Sequence, residues 1–353
     1  MKYEDNGFYY NKIMGNSEQS CKQFFHNRWI DFLDSIEMSY KNAIQLRIGN
    51  HLRPLLVYWG KALGAAKEDD LLDEDILELG ICVETLHKVS IIVDDLIDYD
   101  AKRHSKLTFH VQYTPEETII FAVFMIGKAF EKINLLSQKY NCLANPLNNI
   151  YAKTLQEMAS GCLSELTMTP EKLYNYENIV SIICKETSTL IKNSLLLGFM
   201  TNMPQSSEVI QIIEEMGDRI GYLFQVMNDL EPFCSATNLV HHKGSLNMDF
   251  EHFRKNIVLP YIYASCSIRE KKHLLESDRM NTQEILYLFE KYTIDRIIKK
   301  DIKNTENEIE QYFDELCTKD INSSCLKDFQ KFYTDIIGIA KERLISTSEE
   351  PID

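Results

Sequence analysis

The stretch ETLHKVSIIVDDLIDYD holds acidic residues at a density that an ordinary solvated helix does not need. Asp94, Asp95 and Asp98 stand at i, i+1 and i+4, so on a helix Asp94 and Asp98 lie one turn apart on one face. Adjacent carboxylates on an otherwise apolar helix repel one another and lose hydration. A divalent cation relieves both costs. Mg²⁺ suits such a place because it takes oxygen ligands, keeps some of its waters and bridges one or two carboxylates to substrate phosphates. A lone DDxxD also occurs on plain solvated helix ends. Here Glu84, His87, Ile91, the Asp94/Asp95 pair and Asp98 follow 3–4–3–4 spacing, so the acids end a polar seam along one face.

The elements that position this seam are read from periodicity. Gly (13) and Pro (8) are scarce in 353 residues, too few for the regular turns of an all-β chain. Apolar residues recur at helical spacing over about 23–45, from Pro54, over 73–98, 115–138, 146–168, 173–200, 206–231, 250–267, 283–291, 295–318 and 324–345. Pro54 sits where a first helical turn needs no N–H. Thr114 with Glu117 three residues on reads as an N-terminal cap. No internal repeat or low-complexity linker is present. The expectation is an all-α, single-domain helical bundle over 23–345, with an irregular arm at 1–22 and a flexible tail at 346–353.

Composition limits the function classes. The net charge of −15 disfavours nucleic acid, whose phosphates need clustered Lys and Arg. Nine Cys without CxxC pairs read as reduced thiols of a cytoplasmic protein. No apolar run reaches the roughly 18–20 residues of a membrane span, and MKYEDNGFYY lacks the apolar core of a signal peptide.

Six landmarks in order carry a resemblance. GNHLRP is similar to GKxxRP, and HKVSIIVDDLIDYDAKRHSKLTFH to DDxxD followed by RRGxPTxH. SGCLSEL is similar to GQxxDL, CKETSTLI to the KTxxLI region, FQVMNDLEP to FQxxDDxxD, and RKNIVLPYIYA to GKxTLPxIxA. From Gly49 to Ala264 the chain thus resembles the trans-isoprenyl diphosphate synthases. The resemblance implies a bundle of about 10–12 helices around a central cavity, and a Mg²⁺-dependent prenyltransferase with three ions per site. It implies that an allylic diphosphate ionises between two acidic clusters and alkylates isopentenyl diphosphate. It also implies a homodimer, with a heteromer as the other arrangement.

By position, the resemblance makes Asp94 and Asp98 metal ligands with Asp95 assisting, and Asn228 a ligand of the second cluster. Arg53 and His87 would hold isopentenyl diphosphate, and Arg103 the allylic diphosphate. Lys185 and Thr187 would lie near the leaving group, although Glu186 separates them where the family has adjacent Lys-Thr. Gln225 matches the Gln one turn before the second motif, and Lys243 falls where the family has a phosphate-binding Lys.

Several positions depart from the pattern. Asn50, His104, Ser105 and Cys162 replace Lys, Arg, Gly and Gln, and the second acidic motif reads Asn228, Asp229, Leu230, Glu231, Pro232. Asn ligates Mg²⁺ through its carbonyl oxygen without adding charge, and Pro232 is expected to end its helix. Three alternatives therefore stand beside the synthase: a class I terpene synthase on the same fold, a non-catalytic or regulatory subunit, and a peptide or protein prenyl-modifying relative.

Overall fold

The computed structural model describes residues 16–66, 71–103, 106–140, 146–202, 206–234, 254–276 and 281–345. In chain order these form α1 (Asn16–Asp34), a 3-10 turn (Ser39–Asn42), α2 (Ile44–Arg47), α3 (Leu52–Gly64) and α4 (Glu74–Ile97). A two-stranded ribbon follows, β1 (Lys102–Arg103) and β2 (Lys106–Leu107). Then come α5 (Phe109–Gln112), α6 (Pro115–Lys139), α7 (Pro146–Leu166), α8 (Pro170–Leu173) and α9 (Tyr176–Ile183). A π-helical turn (Cys184–Ser188) leads into α10 (Thr189–Phe199) and α11 (Ser207–Cys234). The last five helices are α12 (Val258–Ser265), α13 (Ile268–Glu276), α14 (Thr282–Lys291), α15 (Ile294–Cys317) and α16 (Ser323–Ile345).

The periodicity located these helices, with differences at their ends. α1 begins at Asn16, inside the stretch expected to be an irregular arm, and stops at Asp34, after which the chain turns through the short 3-10 turn and α2. The expected helix 173–200 is divided by the π turn. α11 runs to Cys234, past Pro232. That proline stands in the last turn, where removing one backbone donor costs less than it does mid-helix. Thr114 caps α6 as expected, its hydroxyl accepting from the Glu117 N–H at 3.1 Å.

α4 is the spine of the bundle. Asp73 caps it by accepting from the Ile76 N–H at 2.9 Å, and the helix packs against α1, α3 and α6. Thirteen of its residues are buried, so it is covered on most sides and its apolar residues do not form a single stripe. α3 crosses α10 in near contact. A Cβ on Gly60 would lie 1.9 Å from the Leu195 carbonyl oxygen, and one on Gly198 would lie 1.9 Å from that of Val57. This approach packs Leu55, Leu63, Leu195 and Phe199 into one core with Leu223 of α11 and Ile298 of α15. Burial of side chains of this size stabilises by about 1.5–3 kcal/mol each. At the end of α4, Asp98 and the Ile97 carbonyl are held by Arg254.

Candidate active site

The three aspartates at the end of α4 have three different environments. Asp95 is fully buried and turned inward, in an ion pair with Arg103 at 2.6 Å. The β1–β2 ribbon, pairing Arg103 with Lys106, folds this arginine back onto the helix that precedes it. Asp95 outweighs the cost of burial and holds the Arg103 pKa above its ordinary value. Asp98 is the C-cap residue, and Arg254 meets it at 2.6 Å while donating to the Ile97 carbonyl at 3.1 Å. Asp94 is exposed, yet desolvation pushes its pKa up to about 6. Asp98 and Glu165 add to that rise, against the pull of Lys255 and Arg103.

The opposing groups come from α7, the π turn and the 254–257 segment. Lys255 donates to Glu165 at 3.3 Å and to Glu186, and its backbone N–H donates to Glu165 at 2.7 Å. Burial works against the ammonium charge, but the two glutamates outweigh it and keep the lysine protonated. Two carboxylates share this one cation, so one charge is surplus. Burial accordingly pushes Glu186 up despite Lys255. The π turn sets this geometry, because its extra residue changes which side chain faces inward. Gly161 of α7 makes room, since a Cβ there would lie 2.6 Å from Glu186 Cγ. Cys162 stands beside the same acids, its thiol pushed up to about 11 by burial and by Asp94.

On α11 the second motif makes a latch. The Thr187 hydroxyl donates to Gln225 at 2.8 Å, and the Gln225 amide donates to Asp229 Oδ1 at 2.7 Å. Asp229 Oδ2 accepts from the Ile257 N–H at 2.8 Å, and Asn256 donates to the Asp229 carbonyl at 3.0 Å. Asp229 is buried, whereas Asn228 is exposed.

Two turns before Asp94 a second polar group forms around Glu84, which is 1% exposed. Its carboxylate lies 3.3 Å from His51 Nδ1, 3.6 Å from His87 Nδ1 and 3.6 Å from Lys88 Nζ. Burial opposes its charge, but His51 and Lys88 hold it well below the usual carboxylate range. Lys88 also donates to the Ile48 carbonyl, and His26 Nδ1 meets His51 Nε2 at 3.0 Å. Burial and the neighbouring Arg53 lower the His87 pKa to about 4. At 3.6 Å, His87 Nδ1 is beyond hydrogen-bond distance of Glu84, and the neutral ring carries one N–H to donate.

The 254–257 segment therefore meets Asp98 through Arg254 and, through Ile257, the Asp229 that closes the Thr187–Gln225–Asp229 chain, while Arg53 of α3 lies close to His87 of α4. Arg103 is engaged by Asp95. Within the π turn it is Glu186, and not Lys185, that joins the ion-pair cluster. Lys243 lies outside the described residues. Glu165, Glu186, Arg254 and Lys255 are additions to the site, and Glu165, Arg254 and Lys255 were visible as members of the SGCLSEL and RKNIVLPYIYA motifs.

Asp94 and Asp98 stand one turn apart, and Asp94 carries a carboxyl destabilised chiefly by desolvation, a cost that a divalent cation would relieve. Among the described residues no three His, Cys, Asp or Glu side chains converge to hold an ion alone. Mg²⁺ needs less than that where a substrate phosphate completes its shell.

These features define an all-helical protein with carboxylates at one end of its central helix and a cationic group two turns away. Residues 36–292 match the polyprenyl synthetase family model. The chain belongs to the polyprenyl synthetase family. It is 29% identical over 230 residues to the short chain isoprenyl diphosphate synthase of Methanocaldococcus jannaschii, a match spanning 65% of this chain and 66% of that protein. It is 22% identical over 342 residues to the geranylgeranyl diphosphate synthase of Sulfolobus acidocaldarius, spanning 94% and 98% of the two chains. Its fold matches a decaprenyl diphosphate synthase from Rhodobacter capsulatus with a TM-score of 0.75 at 16% identity, covering 92% of this chain and 98% of the other.

Proposed function

We propose that the protein is a trans-isoprenyl diphosphate synthase that joins an allylic diphosphate to isopentenyl diphosphate. One observation supports this reading over a terpene synthase: beside the carboxylates at its end, α4 carries a separate charged group in which Glu84 meets His51 and Lys88, with Arg53 of α3 close to His87. Asp94 and His87 are two helical turns apart, about 10 Å at the helical rise. A terpene synthase needs one diphosphate site. A condensing enzyme needs two.

Asp94 and Asp98 would hold Mg²⁺, with Asn228 able to add a neutral oxygen; the ions supply charge that stabilises the departing allylic diphosphate. Lys255 and Arg254 stand beside these carboxylates and neutralise the leaving group from the protein side. Arg53 and His87 receive isopentenyl diphosphate. The allylic C–O bond breaks with its electron pair going to diphosphate. The isopentenyl double bond then attacks the allylic carbon, and a proton passes to the released diphosphate. No side-chain nucleophile is required.

The apolar face of α6 supports a homodimer. Ile120, Val123 and Leu135 are 68%, 62% and 59% exposed, and nothing lies within 4 Å of a Cβ built on Gly127, so a second copy can approach closely there. No helix among the described residues is long and apolar enough to cross a membrane, and the nine cysteines include no CxxC pair, which supports a cytoplasmic place.

The test is incubation of purified protein with Mg²⁺, isopentenyl diphosphate and each allylic diphosphate, with extraction before and after phosphatase. A longer prenyl alcohol released only by phosphatase is the expected product. A hydrocarbon or alcohol formed without phosphatase would replace this reading with the terpene synthase. Absence of any product would favour the non-catalytic subunit.

A further inference from the structure

The 254–257 segment makes a different bond at each step. Arg254 binds the end of α4, Lys255 binds α7 and the π turn, and Asn256 and Ile257 bind α11. It is a strap across the acidic end of the bundle. With Leu259 and Pro260 set on the LP of the GKxTLPxIxA pattern, Lys255 falls on its glycine, Asn256 on its lysine, and Arg254 lies just before it. Arg254 carries a permanent positive charge into the strap. That charge lies 2.6 Å from Asp98, with the side chain only 14% exposed.

The other wall has lost charge. Asn228 is a neutral amide, and the two Asp229 oxygens are engaged by the Gln225 amide and the Ile257 N–H. Three divalent ions would bring six positive charges to a site whose second carboxylate cluster is reduced to a latch. The neutral amide on α11 and the cation of the strap are complementary.

We propose that Arg254 takes the place of one metal ion at the diphosphate site. Its guanidinium is oriented by Asp98 and the Ile97 carbonyl. It carries five N–H groups in a fixed plane, more than these two acceptors use, and planar donors of this kind match phosphate oxygens. The proposal rests on the diphosphate reading above and deepens it: this chain binds the allylic diphosphate with fewer Mg²⁺ ions because a fixed cation is built in.

Titration calorimetry with inorganic diphosphate tests this without turnover. Parent, R254G and R254K are compared in EDTA and over a series of Mg²⁺ concentrations, with circular dichroism to confirm folding. The parent is expected to bind inorganic diphosphate in EDTA, and R254G to bind at least about tenfold more weakly there. In Mg²⁺, R254G is expected to take up about one more ion per diphosphate than the parent, seen as a steeper dependence of log affinity on log Mg²⁺ concentration. R254K, which keeps the charge and loses the planar fork, should fall between them. Equal slopes and equal EDTA affinities for parent and R254G would overturn the proposal while leaving the diphosphate site intact. A parent that binds no diphosphate at any Mg²⁺ concentration would overturn the underlying functional reading as well.

Discussion

The chain contains two acidic motifs at the ends of two long helices, and it has treated them differently. At the end of α4, Asp94 is exposed, and desolvation pushes its carboxyl up to about 6. At the end of α11, Asp229 is buried and satisfied, holding Gln225 and the strap backbone. One carboxylate is poised to gain a cation; the other has already spent its acceptors. Motif spelling alone does not separate a ligand from a latch. The separation comes from what the neighbouring segment donates.

The largest effect is expected on the open side. D94A should lower turnover by at least about 10³-fold with unchanged helix content, because charge stabilisation of this kind contributes several kcal/mol to the transition state. Activity within a few-fold of the parent would remove Asp94 from the chemistry.

His87 should leave a signature in acid. Its folded pKa of about 4 lies below the model value of 6.5, so its stabilisation is complete above 6.5 and is lost as pH falls toward 4. The loss is at most about 3 kcal/mol for that shift. Thermal melts of parent and H87Q between pH 7 and pH 4 should diverge, with the parent falling more steeply. Parallel curves would show that the imidazole titrates normally.

On the latched side the effect should be on stability first. D229N replaces an acceptor by a donor opposite an N–H and should cost about 1–3 kcal/mol, read as a lower midpoint in urea. N228D should have the smallest effect: activity retained, with half-maximal Mg²⁺ lowered a few-fold by the added charge. If N228D instead destroyed turnover, the amide would be a specific adaptation and the two walls would be less alike in chemistry than this comparison holds.

The first motif was legible because Asp94 and Asp98 are local, one turn apart on a helix whose caps and periodicity are strong. The latch was not. Asp229 differs from Asn228 by one step along α11, yet the step carries it from an exposed place to a buried one. Its partner Ile257 lies across a long separation in sequence. The π turn was likewise hidden, since CKETSTLI is compatible with an uninterrupted helix, and the extra residue brings Glu186 to Lys255. Arg254 was visible as a letter in a motif, but its bond to Asp98 depends on how the strap crosses α4.

The central claim is that α4 carries two separate diphosphate sites. Steady-state kinetics of R53Q, with each substrate varied at saturation of the other, test it most directly. Loss of one charge-assisted contact should raise the KM for isopentenyl diphosphate by about 10- to 100-fold, with the KM for the allylic diphosphate and the Mg²⁺ requirement little changed. A rise in both KM values together, or in neither, would contradict the two-site account.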